Sequence, residues 1–404
     1  MRLRQPSAET GLDRELSRQP RAVHAALAAL VIVVVIVIAW LGISLAGALT
    51  APGTDPTSAR VAEWGRQHGL GWAVTGMEQA QYQLSKPKTG GVVAGGLPTI
   101  GKSSARTRPN ASASQPATGH ATATGQATTT APPPPLAPLV HTTTLAGEGA
   151  WHDLFAVHGR TAARVAFLRP DSLHTSYYVQ VIWMDPRLVS FTLYPGYKVP
   201  GAVAGAANRI PTAKLGSVLA TFNSGFLMTD ARGGYWQNGH AVVPLRTGAA
   251  SMVFTTDGHV RVESWPGGAP GPGIAAVRQN LDPLIQHGVI SPAATQANAA
   301  AWGRTVGNLA YVWRSGIGVR ADGSIVSVVG PAMDVETLAN VLHDAGAVTA
   351  MELDINPSWT NYITYTHPSS TTAMPTLLPP ANPYVHADRY LQPSSRDFVA
   401  VYPR

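Results

Sequence analysis

A long uncharged run near the N-terminus places the strongest constraint on this chain. From Ala25 to Leu49 the sequence AALAALVIVVVIVIAWLGISLAGAL contains no charged residue. As an α-helix, a run of this length spans the roughly 30 Å hydrocarbon core of a bilayer. We therefore predict a single transmembrane helix over residues 25–49, preceded by an N-terminal segment of residues 1–24.

The charges around the run predict its orientation. Three acidic residues precede it, together with five arginines, Arg2, Arg4, Arg14, Arg18 and Arg21. The next basic residue is Arg60, so the positive-inside rule places the N-terminus in the cytoplasm and the C-terminal part outside the cell membrane. A cleaved signal peptide is the alternative, because Ala46-Gly47-Ala48 supplies small residues, although the run is longer than a usual signal core. Both interpretations export the rest of the chain.

Composition divides the exported part into three regions. Residues 50–84 form a membrane-proximal segment, in which the apolar spacing of residues 58–82 predicts a short helix. Residues 85–140 are rich in Thr, Ala, Gly, Ser and Pro and cannot bury enough apolar surface to offset ordering, which predicts an extended, disordered linker. Residues 147–404 contain recurring apolar and alternating segments with turn signals between them, as in a domain of ordinary size.

The charge distribution argues against nucleic-acid binding. The formal net charge is +7, with twelve Lys/Arg against six Asp/Glu in residues 1–146 and seventeen against sixteen in residues 147–404. A nucleic-acid-binding domain concentrates positive charge on itself, whereas this C-terminal domain is close to neutral. The chain also has no cysteine, which excludes disulfides, thiolate metal sites and a cysteine nucleophile.

Local signals in the C-terminal domain predict a hairpin followed by a helix and a strand. Residues 316–329 alternate about Asp322-Gly323, which is the turn chemistry of a β-hairpin. Asp334 can cap a helix that ends at Gly346. The apolar residues on one face of that helix are Val335, Leu338, Val341 and Leu342. Together with the other strands of residues 147–404, these signals predict an α+β fold with a mixed α/β sheet.

The strand after this helix carries an unusual set of polar residues. In residues 348–355 and just beyond, alternation places Glu352, Asp354 and Asn356 on one face and apolar side chains on the other, and Pro357 ends the strand. Same-face neighbours lie about 6 to 7 Å apart, near the separation of the carboxylate pairs that perform glycosidic chemistry. The alternative is a solvated strand face with a salt-bridged acid.

A second polar group follows the apolar run that ends at residue 222. In Phe222-Asn223-Ser224-Gly225-Phe226, Asn223 and Gly225 stand at a predicted strand end. A glycine at such a place lets the backbone approach a ligand closely. The segment is also compatible with an ordinary turn.

These motifs, in this order, resemble the phosphodiester glycosidase family, which includes exopolysaccharide-associated bacterial proteins and the animal enzyme that uncovers mannose 6-phosphate tags. The resemblance covers most of residues 147–404. The matching segments are Asn223-Ser224-Gly225-Phe226-Leu227, Asp257-Gly258, residues 282–288, Arg314-Ser315-Gly316-Ile317-Gly318 and residues 352–358. In the last segment Asp354 and Ser358 match, whereas Ile355, Asn356 and Pro357 replace family glycines and Glu352 replaces an Asn.

The resemblance implies hydrolysis of the bond between an anomeric carbon and a phosphodiester oxygen. Asp354 is then expected to act as the nucleophile or as the base on a water, with Glu352 as its partner. Arg314 is expected to bind phosphate through its planar fork; alternatively, it only neutralises Asp354 in a buried ion pair. The remaining substrate-binding candidates are Asn223, Gly225, Asn356, Ser358 and Arg246, with Asp230 in reserve.

The predicted partners are a carbohydrate or sugar-phosphate polymer and, through residues 25–49, the membrane. The metal requirement stays open, with Ca²⁺ as the candidate cofactor, since Glu352, Asp354, Asn356 and Asp230 offer oxygen ligands. The predicted function is a membrane-anchored, extracytoplasmic glycosidase acting on a sugar-1-phosphodiester of the cell envelope or of an exopolysaccharide. The alternative is a non-catalytic polysaccharide-binding or assembly module on the same fold, with Trp359, Tyr362 and Tyr365 against sugar faces.

Overall fold

The computed structural model describes residues 19–100, 133–303 and 310–404, with side chains from residue 23 onwards. Most of the predicted N-terminal segment and the centre of the predicted linker therefore lie outside the described residues. The chain divides into two compact units. One contains the described part of residues 1–51 with residues 57–72, and the other contains residues 52–56 with the described part of residues 73–404.

The first unit is a pair of helices, α1 (Gln19–Leu49) and α2 (Thr57–Gln67). Residues Val23–Leu49 of α1 are long and apolar enough to cross a membrane by length and composition, as the sequence predicts for residues 25–49. The guanidinium of Arg60 in α2 donates to the carbonyls of Leu49 (3.1 Å) and Ala51. Arg60 thereby satisfies carbonyl groups at the C-terminal end of α1, which have no partner within the helix.

The membrane-proximal segment forms two helices where the sequence predicts one. Helix α2 ends at Gln67, and helix α3 spans Gly71–Ser85. Gly69 separates them with φ of +77°, a left-handed conformation that terminates helices and favours glycine.

The predicted linker boundaries, 85–140, differ from the structure at both ends. Val93 on one side and Leu136 and Val140 on the other are buried in the second unit. The backbone N–H of Leu136 also donates to the carbonyl of Gly149 at 2.9 Å. The low-complexity composition of the segment does not predict that these few apolar side chains are buried.

The second unit is dominated by β-strands, and the predicted combination of helix and sheet is confirmed. The strands are β1 (His152–Val157), β2 (Arg160–Leu168), β3 (Val179–Met184), β4 (Val189–Tyr194), β5 (Ala220–Asn223), β6 (Tyr235–Gln237), β7 (His240–Val243), β8 (Ala250–Thr255), β9 (Val260–Ser264), β10 (Ile274–Gln279), β11 (Ile285–Gln286), β12 (Val289–Ile290), β13 (Val312–Arg320), β14 (Ile325–Met333), β15 (Ala347–Asp354), β16 (Tyr362–Ser369), β17 (Thr372–Leu377) and β18 (Phe398–Pro403). Helix α4 (Val335–Asp344) lies between β14 and β15, and two 3-10 turns span Thr212–Lys214 and Gln296–Trp302.

The strands form three sheets within the described residues. The largest has the order β1-β2-β3-β14-β13-β15-β11-β12, and the two five-stranded sheets have the orders β7-β6-β10-β8-β9 and β17-β16-β5-β18-β4. The pairings in which β13, β15, β5 and β18 take part are antiparallel. The end of β15 and the end of β5 carry the polar residues singled out in the sequence.

The predicted hairpin, helix and strand are all present around the candidate site. Asp334 caps α4 by accepting the N–H of Thr337 at 2.7 Å, and Gly346 follows the helix with φ of +90°. A Cβ at Gly316 of β13 would lie 2.9 Å from the side chain of Leu342, so a glycine there allows α4 to pack closely on the sheet.

Strand β15 ends one residue earlier than predicted, and this changes its packing. Met351 and Leu353 belong to the core cluster shared by the sheets. Ile355 belongs to the other main cluster, which contains Leu338 of α4. The side-chain alternation therefore stops at Asp354, because the regular strand stops there.

Candidate active site

The carboxylate of Glu352 is held in a buried ion pair. Its Oε1 lies 2.5 Å from Nη1 of Arg314, and the Glu352 and Arg314 side chains are 0% and 1% exposed. The other nitrogens of Arg314 donate to the carbonyls of Met333 (Nε, 2.9 Å) and Ala310 (Nη2, 3.1 Å). Burial raises the pKa of Glu352, and the charge and hydrogen bond of Arg314 oppose that rise.

This pair changes the interpretation of both residues. Each nitrogen of the Arg314 guanidinium donates to a group of the protein, which favours the ion-pair interpretation over phosphate binding. The partner in this ion pair is Glu352, whereas the sequence predicts Asp354. Glu352 can meet a substrate only by breaking this pair. The alternative of a solvated strand face with a salt-bridged acid is right about the ion pair of Glu352 and wrong about solvation, because Asp354 is only 3% exposed.

Asp354 occupies a different environment at the end of β15. Its Oδ1 accepts the backbone N–H groups of Ile355 and Asn356, each at 2.8 Å. Burial raises the pKa of Asp354 to about 7, against the opposing effects of the Arg396 charge and of these two N–H groups, and the Glu352 charge adds to the rise. Asp354 therefore exchanges its proton near neutral pH.

An irregular pairing between β13 and β15 connects Asp354 to Asn223. The register shifts so that Ser315 lies opposite Asp354 while Gly316 lies opposite Glu352. The Ser315 Oγ accepts the Asp354 N–H at 3.1 Å and the Nδ2 of Asn223 at 2.9 Å. Such irregularities re-aim side chains and are frequent beside active sites. Asn223 is thus joined to the backbone that carries Asp354.

The network extends through Asn361, a residue that the sequence motifs do not predict. Its N–H donates to Oδ1 of Asn223 at 3.2 Å, and its Nδ2 donates to the hydroxyl of Tyr390 at 2.9 Å. Asn361 is buried and directly precedes β16, which pairs with β5. It fixes the amide orientation of Asn223, so Asn223 acts in the described network as a positioning group.

Gly225 lies against a second buried ion pair. Nε of Arg278 lies 2.6 Å from Oδ2 of Asp397, and both side chains are fully buried. A Cβ at position 225 would lie 2.8 Å from Cζ of Arg278, so the glycine admits the guanidinium. The predicted close approach at Gly225 is therefore made by a protein side chain, with Nη2 of Arg278 donating to the carbonyl of Phe226.

Asn280 ties the two polar strand ends together. Its Nδ2 donates to the carbonyls of Glu352 (2.8 Å) and Leu353 (3.2 Å), and its Oδ1 accepts the N–H of Phe226 at 3.1 Å. Neither Asn280 nor Arg278 is among the site residues predicted from the sequence. The available signal was the polar run Arg278-Gln279-Asn280 at the end of an apolar strand.

Asn356 and Ser358 shape the loop after Asp354. The Oδ1 of Asn356 accepts the N–H of Ser358 at 2.9 Å, which closes an Asx turn. The carbonyl of Ser358 accepts Nη1 of Arg389 at 2.8 Å. Both residues are half-buried beside Asp354, so their predicted contact with a substrate stays a prediction.

The aromatic residues of this loop lie in the core. Trp359, Tyr362 and Tyr365 are buried, and the Tyr362 ring stacks on Phe222. The prediction that they lie against sugar faces is therefore wrong, because a buried ring has no free face.

Arg246 and Asp230 are not joined to this network. Nη2 of Arg246 lies 2.7 Å from Oδ1 of Asp282, and the two side chains are 43% and 53% exposed. Its Nε donates to the carbonyl of Arg232 at 2.6 Å. Asp230 is exposed. Among the described residues, no hydrogen bond links the Arg246 side chain to Asp354, Glu352 or Asn223, and its substrate-binding role remains a prediction.

The predicted Ca²⁺ ligands do not form one set. Glu352 is paired with Arg314, Asp230 is exposed, and Oδ1 of Asp354 already accepts two N–H groups. Within the described ranges no group of three or more His, Cys, Asp or Glu side chains could hold a metal ion. These residues do not fit a Ca²⁺ site.

Residues 213–378 match the family model described as phosphodiester glycosidase, which confirms the resemblance predicted from the sequence. The matched range contains Asn223, Arg278, Arg314 and Asp354, while Asp397 lies beyond it. No curated protein sequence matches the chain.

Several solved structures are similar to the chain at low sequence identity. One is the catalytic domain of zebrafish N-acetylglucosamine-1-phosphodiester α-N-acetylglucosaminidase, auto-inhibited by its pro-peptide, at 16% identity over 63% of this chain and 88% of that chain, with a TM-score of 0.39. A hypothetical protein from Synechocystis matches at 13% identity over 61% and 63% of the two chains, with a TM-score of 0.34. A putative exported protein from Burkholderia pseudomallei matches at 13% identity over 56% and 74%, with a TM-score of 0.24.

Proposed function

We propose that this protein is a glycosidase that hydrolyses sugar-1-phosphodiesters, with Asp354 as its central acid. The observation that carries the proposal is the state of Asp354 at the end of β15: a buried carboxyl group, oriented by two N–H groups, whose pKa is raised to about 7. Near neutral pH a group with such a pKa is present in both its protonated and its ionised form, as acid–base catalysis requires. The family match over residues 213–378 supports this reaction class.

The ionised form of Asp354 performs the chemistry. In one route its carboxylate attacks the anomeric carbon and forms a glycosyl ester that water then hydrolyses; in the other it takes a proton from the water that attacks this carbon. In both routes the C–O bond to the phosphate breaks and the phosphate leaves with the bonding electrons. A phosphomonoester is already a stable anion, so its departure requires no proton from a second acid. The engagement of Glu352 by Arg314 is compatible with this chemistry.

Asn223, Ser315 and Asn280 position the reacting carboxylate. Ser315 accepts the Asp354 N–H, Asn223 donates to Ser315, and Asn280 holds the carbonyls of residues 352 and 353. Fixed hydrogen bonds of this kind reduce the reorganisation needed at the moment of reaction.

We also infer that the enzyme is anchored by α1 and acts outside the cell membrane on a cell-envelope or exopolysaccharide substrate. The apolar helix Val23–Leu49 and the excess of arginine before it support this topology.

The test is sugar release from a panel of sugar-1-phosphodiesters by the full chain in detergent, with Asp354→Asn and, as a matched control, Asp344→Asn at the exposed end of α4. We expect Asp354→Asn to lower kcat by about 10²- to 10⁴-fold and the control to leave it unchanged. In the wild type, kcat/KM should rise with pH through about 7, because the reactive form is the ionised one. Full activity of Asp354→Asn would refute the assignment. No release from any substrate by folded protein would favour the non-catalytic polysaccharide-binding or assembly module.

A further inference from the structure

Residues 52–56, which separate helices α1 and α2 in the sequence, belong to the compact unit that contains the β-rich domain. The hydroxyl of Tyr197 donates to the carbonyl of Pro52 at 2.9 Å. Gly53 has φ of +94°, and a Cβ at this position would collide with the carbonyl oxygen of Pro393. Only a glycine permits this close approach, so the backbone of the segment is fixed on the domain.

The side chain of Asp55 places a negative charge inside this unit. Its Oδ1 lies 3.4 Å from Nη2 of Arg389, and the Asp55 and Arg389 side chains are 7% and 3% exposed. The Arg389 guanidinium also lies 5.0 Å from the centre of the Trp359 ring and 5.4 Å from that of Tyr390, which are cation–π distances. Because a buried charge is costly without a counter-charge, we expect the position of Arg389 to depend on Asp55.

Arg389 in turn supports the loop that presents Asp354. Its Nη1 donates to the carbonyl of Ser358 at 2.8 Å. The N–H of Ser358 donates to Oδ1 of Asn356 at 2.9 Å, and the N–H of Asn356 donates to Oδ1 of Asp354 at 2.8 Å. Each step from Asp55 to the proposed reacting carboxylate is therefore a direct contact.

The residue after Arg389 supports the other side of the polar network. The hydroxyl of Tyr390 accepts Nδ2 of Asn361 at 2.9 Å, and the N–H of Asn361 donates to Oδ1 of Asn223 at 3.2 Å. A displacement of Arg389 and Tyr390 would thus disturb both the loop after Asp354 and the amide of Asn223.

We propose that Asp55 is a positioning residue of the active site, which holds Arg389 against the loop of residues 354–359 and so keeps the Asp354 carboxylate in place. This inference rests on the proposed function. It makes the reaction depend on a segment that lies far outside the matched range 213–378. Asp55→Asn removes the charge at nearly constant size and leaves Arg389 without this counter-charge.

The first measurement is the pH dependence of kcat and KM of the full chain on a sugar-1-phosphodiester. We expect Asp55→Asn to lower kcat by about 10- to 100-fold and to change KM by less than about threefold, because a misplaced reacting group slows the chemical step more than binding. The midpoint of kcat/KM against pH should also move below about 7, because a displaced loop lets water reach Asp354 and burial is what raises its pKa.

The matched control for the kinetics is Asp153→Asn, which removes the partner of Arg164 at 3.1 Å from an Asp side chain that is 63% exposed. This variant should change neither kcat nor the pH midpoint. An unchanged kcat in Asp55→Asn, or an equal loss in the control, would overturn the proposal.

A double variant shows whether Asp55 acts through Arg389. In Asp55→Asn/Arg389→Gln, kcat should equal that of Arg389→Gln alone within about twofold, because the group that Asp55 holds is already lost. Losses that multiply would show that Asp55 acts by another route, and the proposal would then be wrong.

Hydrogen exchange followed by mass spectrometry needs no turnover and separates this inference from the proposed function. Asp55→Asn should speed exchange by about tenfold or more in peptides that cover residues 355–361 and leave peptides from α4 unchanged, whereas Asp153→Asn should alter neither. If the wild type hydrolyses nothing but shows this pattern, Asp55 holds the loop and the enzymatic proposal fails. Unchanged exchange in the loop, or equal acceleration throughout the chain, would refute the positioning role whatever the activity.

Gly53→Ala provides an independent variant should Asp55→Asn not fold. It displaces the segment from Pro393 and leaves the side chains of Asp55 and Arg389 intact. The same thresholds on kcat and on loop exchange then decide.

Discussion

Glu352 and Asp354 stand two residues apart on β15 and occupy opposite chemical situations. Glu352 meets a guanidinium at 2.5 Å and is fully buried. Asp354 is oriented by backbone N–H groups and has a pKa near 7. Two acids at this spacing could form a catalytic carboxylate pair. Their environments differ, however: Glu352 is engaged in an ion pair, whereas Asp354 has a pKa at which it can gain or lose a proton near neutral pH.

The largest expected effect tests the structural half of this comparison. Glu352→Gln leaves the Arg314 charge buried without its counter-ion, so we expect the free energy of unfolding to fall by about 3–5 kcal/mol. Denaturant titration of the full chain measures this change. The double variant Arg314→Met/Glu352→Leu removes both charges and should recover most of the loss. A single-variant loss below about 1 kcal/mol would mean that the pair is not essential to the fold.

The next effect tests the Asp354 half through pH. Between its ordinary pKa of 3.8 and its folded value of about 7, the folded protein holds a proton that the unfolded chain releases. Stability contributed by this group therefore falls as pH rises through that window, by up to about 1.4 kcal/mol per pH unit, and is constant above it. Asp354→Asn removes the dependence. The stability difference between Asp354→Asn and wild type should grow from pH 4 to 7, and parallel curves would contradict the raised pKa.

A smaller effect is expected at Ser315, which connects the polar end of β5 to the polar end of β15. Ser315→Ala leaves the Nδ2 of Asn223 and the N–H of Asp354 without their shared acceptor, so we expect a loss of about 1–3 kcal/mol. The matched control is Ser327→Ala on the neighbouring strand, whose hydroxyl only donates to the carbonyl of Gly316 at 3.2 Å. Equal losses in the two variants would show that Ser315 has no special part in the network.

The smallest effect is expected at the exposed ion pair between Arg246 and Asp282. Because both side chains are about half exposed, Arg246→Gln should change the free energy of unfolding by less than about 1 kcal/mol. The same denaturant titration, repeated at high salt, measures it. A loss as large as that of Glu352→Gln would show that burial does not separate the two kinds of pair.

The elements around the site were predictable where their signals are local. The Asp322-Gly323 turn, the Asp334 cap and the Gly346 stop each act within a few residues, and the hairpin and α4 appear where these predict them. The partner of Arg314 was not predictable, because the choice between Glu352 and Asp354 depends on a shifted register between β13 and β15.

Residues that enter the site from far along the chain were not predictable from the sequence for the same reason. Asn361 and Asp397 are ordinary in their local sequence, and only the fold brings them to Asn223 and Arg278. The buried ends of the predicted linker, Val93 and Leu136, illustrate the same limit, since composition describes a segment and not its partners.

The span of these contacts has a consequence for how the site forms in time. The bond between Asn223 and Asn361 joins positions 138 residues apart, that between Arg278 and Asp397 joins positions 119 apart, and that between Asn223 and Ser315 joins positions 92 apart. Each contact requires a long loop to close, and the entropy lost in closing it must be spent before the contact stabilises the chain. Topologies with many such contacts fold slowly. The hairpin and α4 can form early, whereas the polar network completes only when the distant strands have docked. A newly made chain would therefore have unpaired strand edges and an incomplete polar network until this last step.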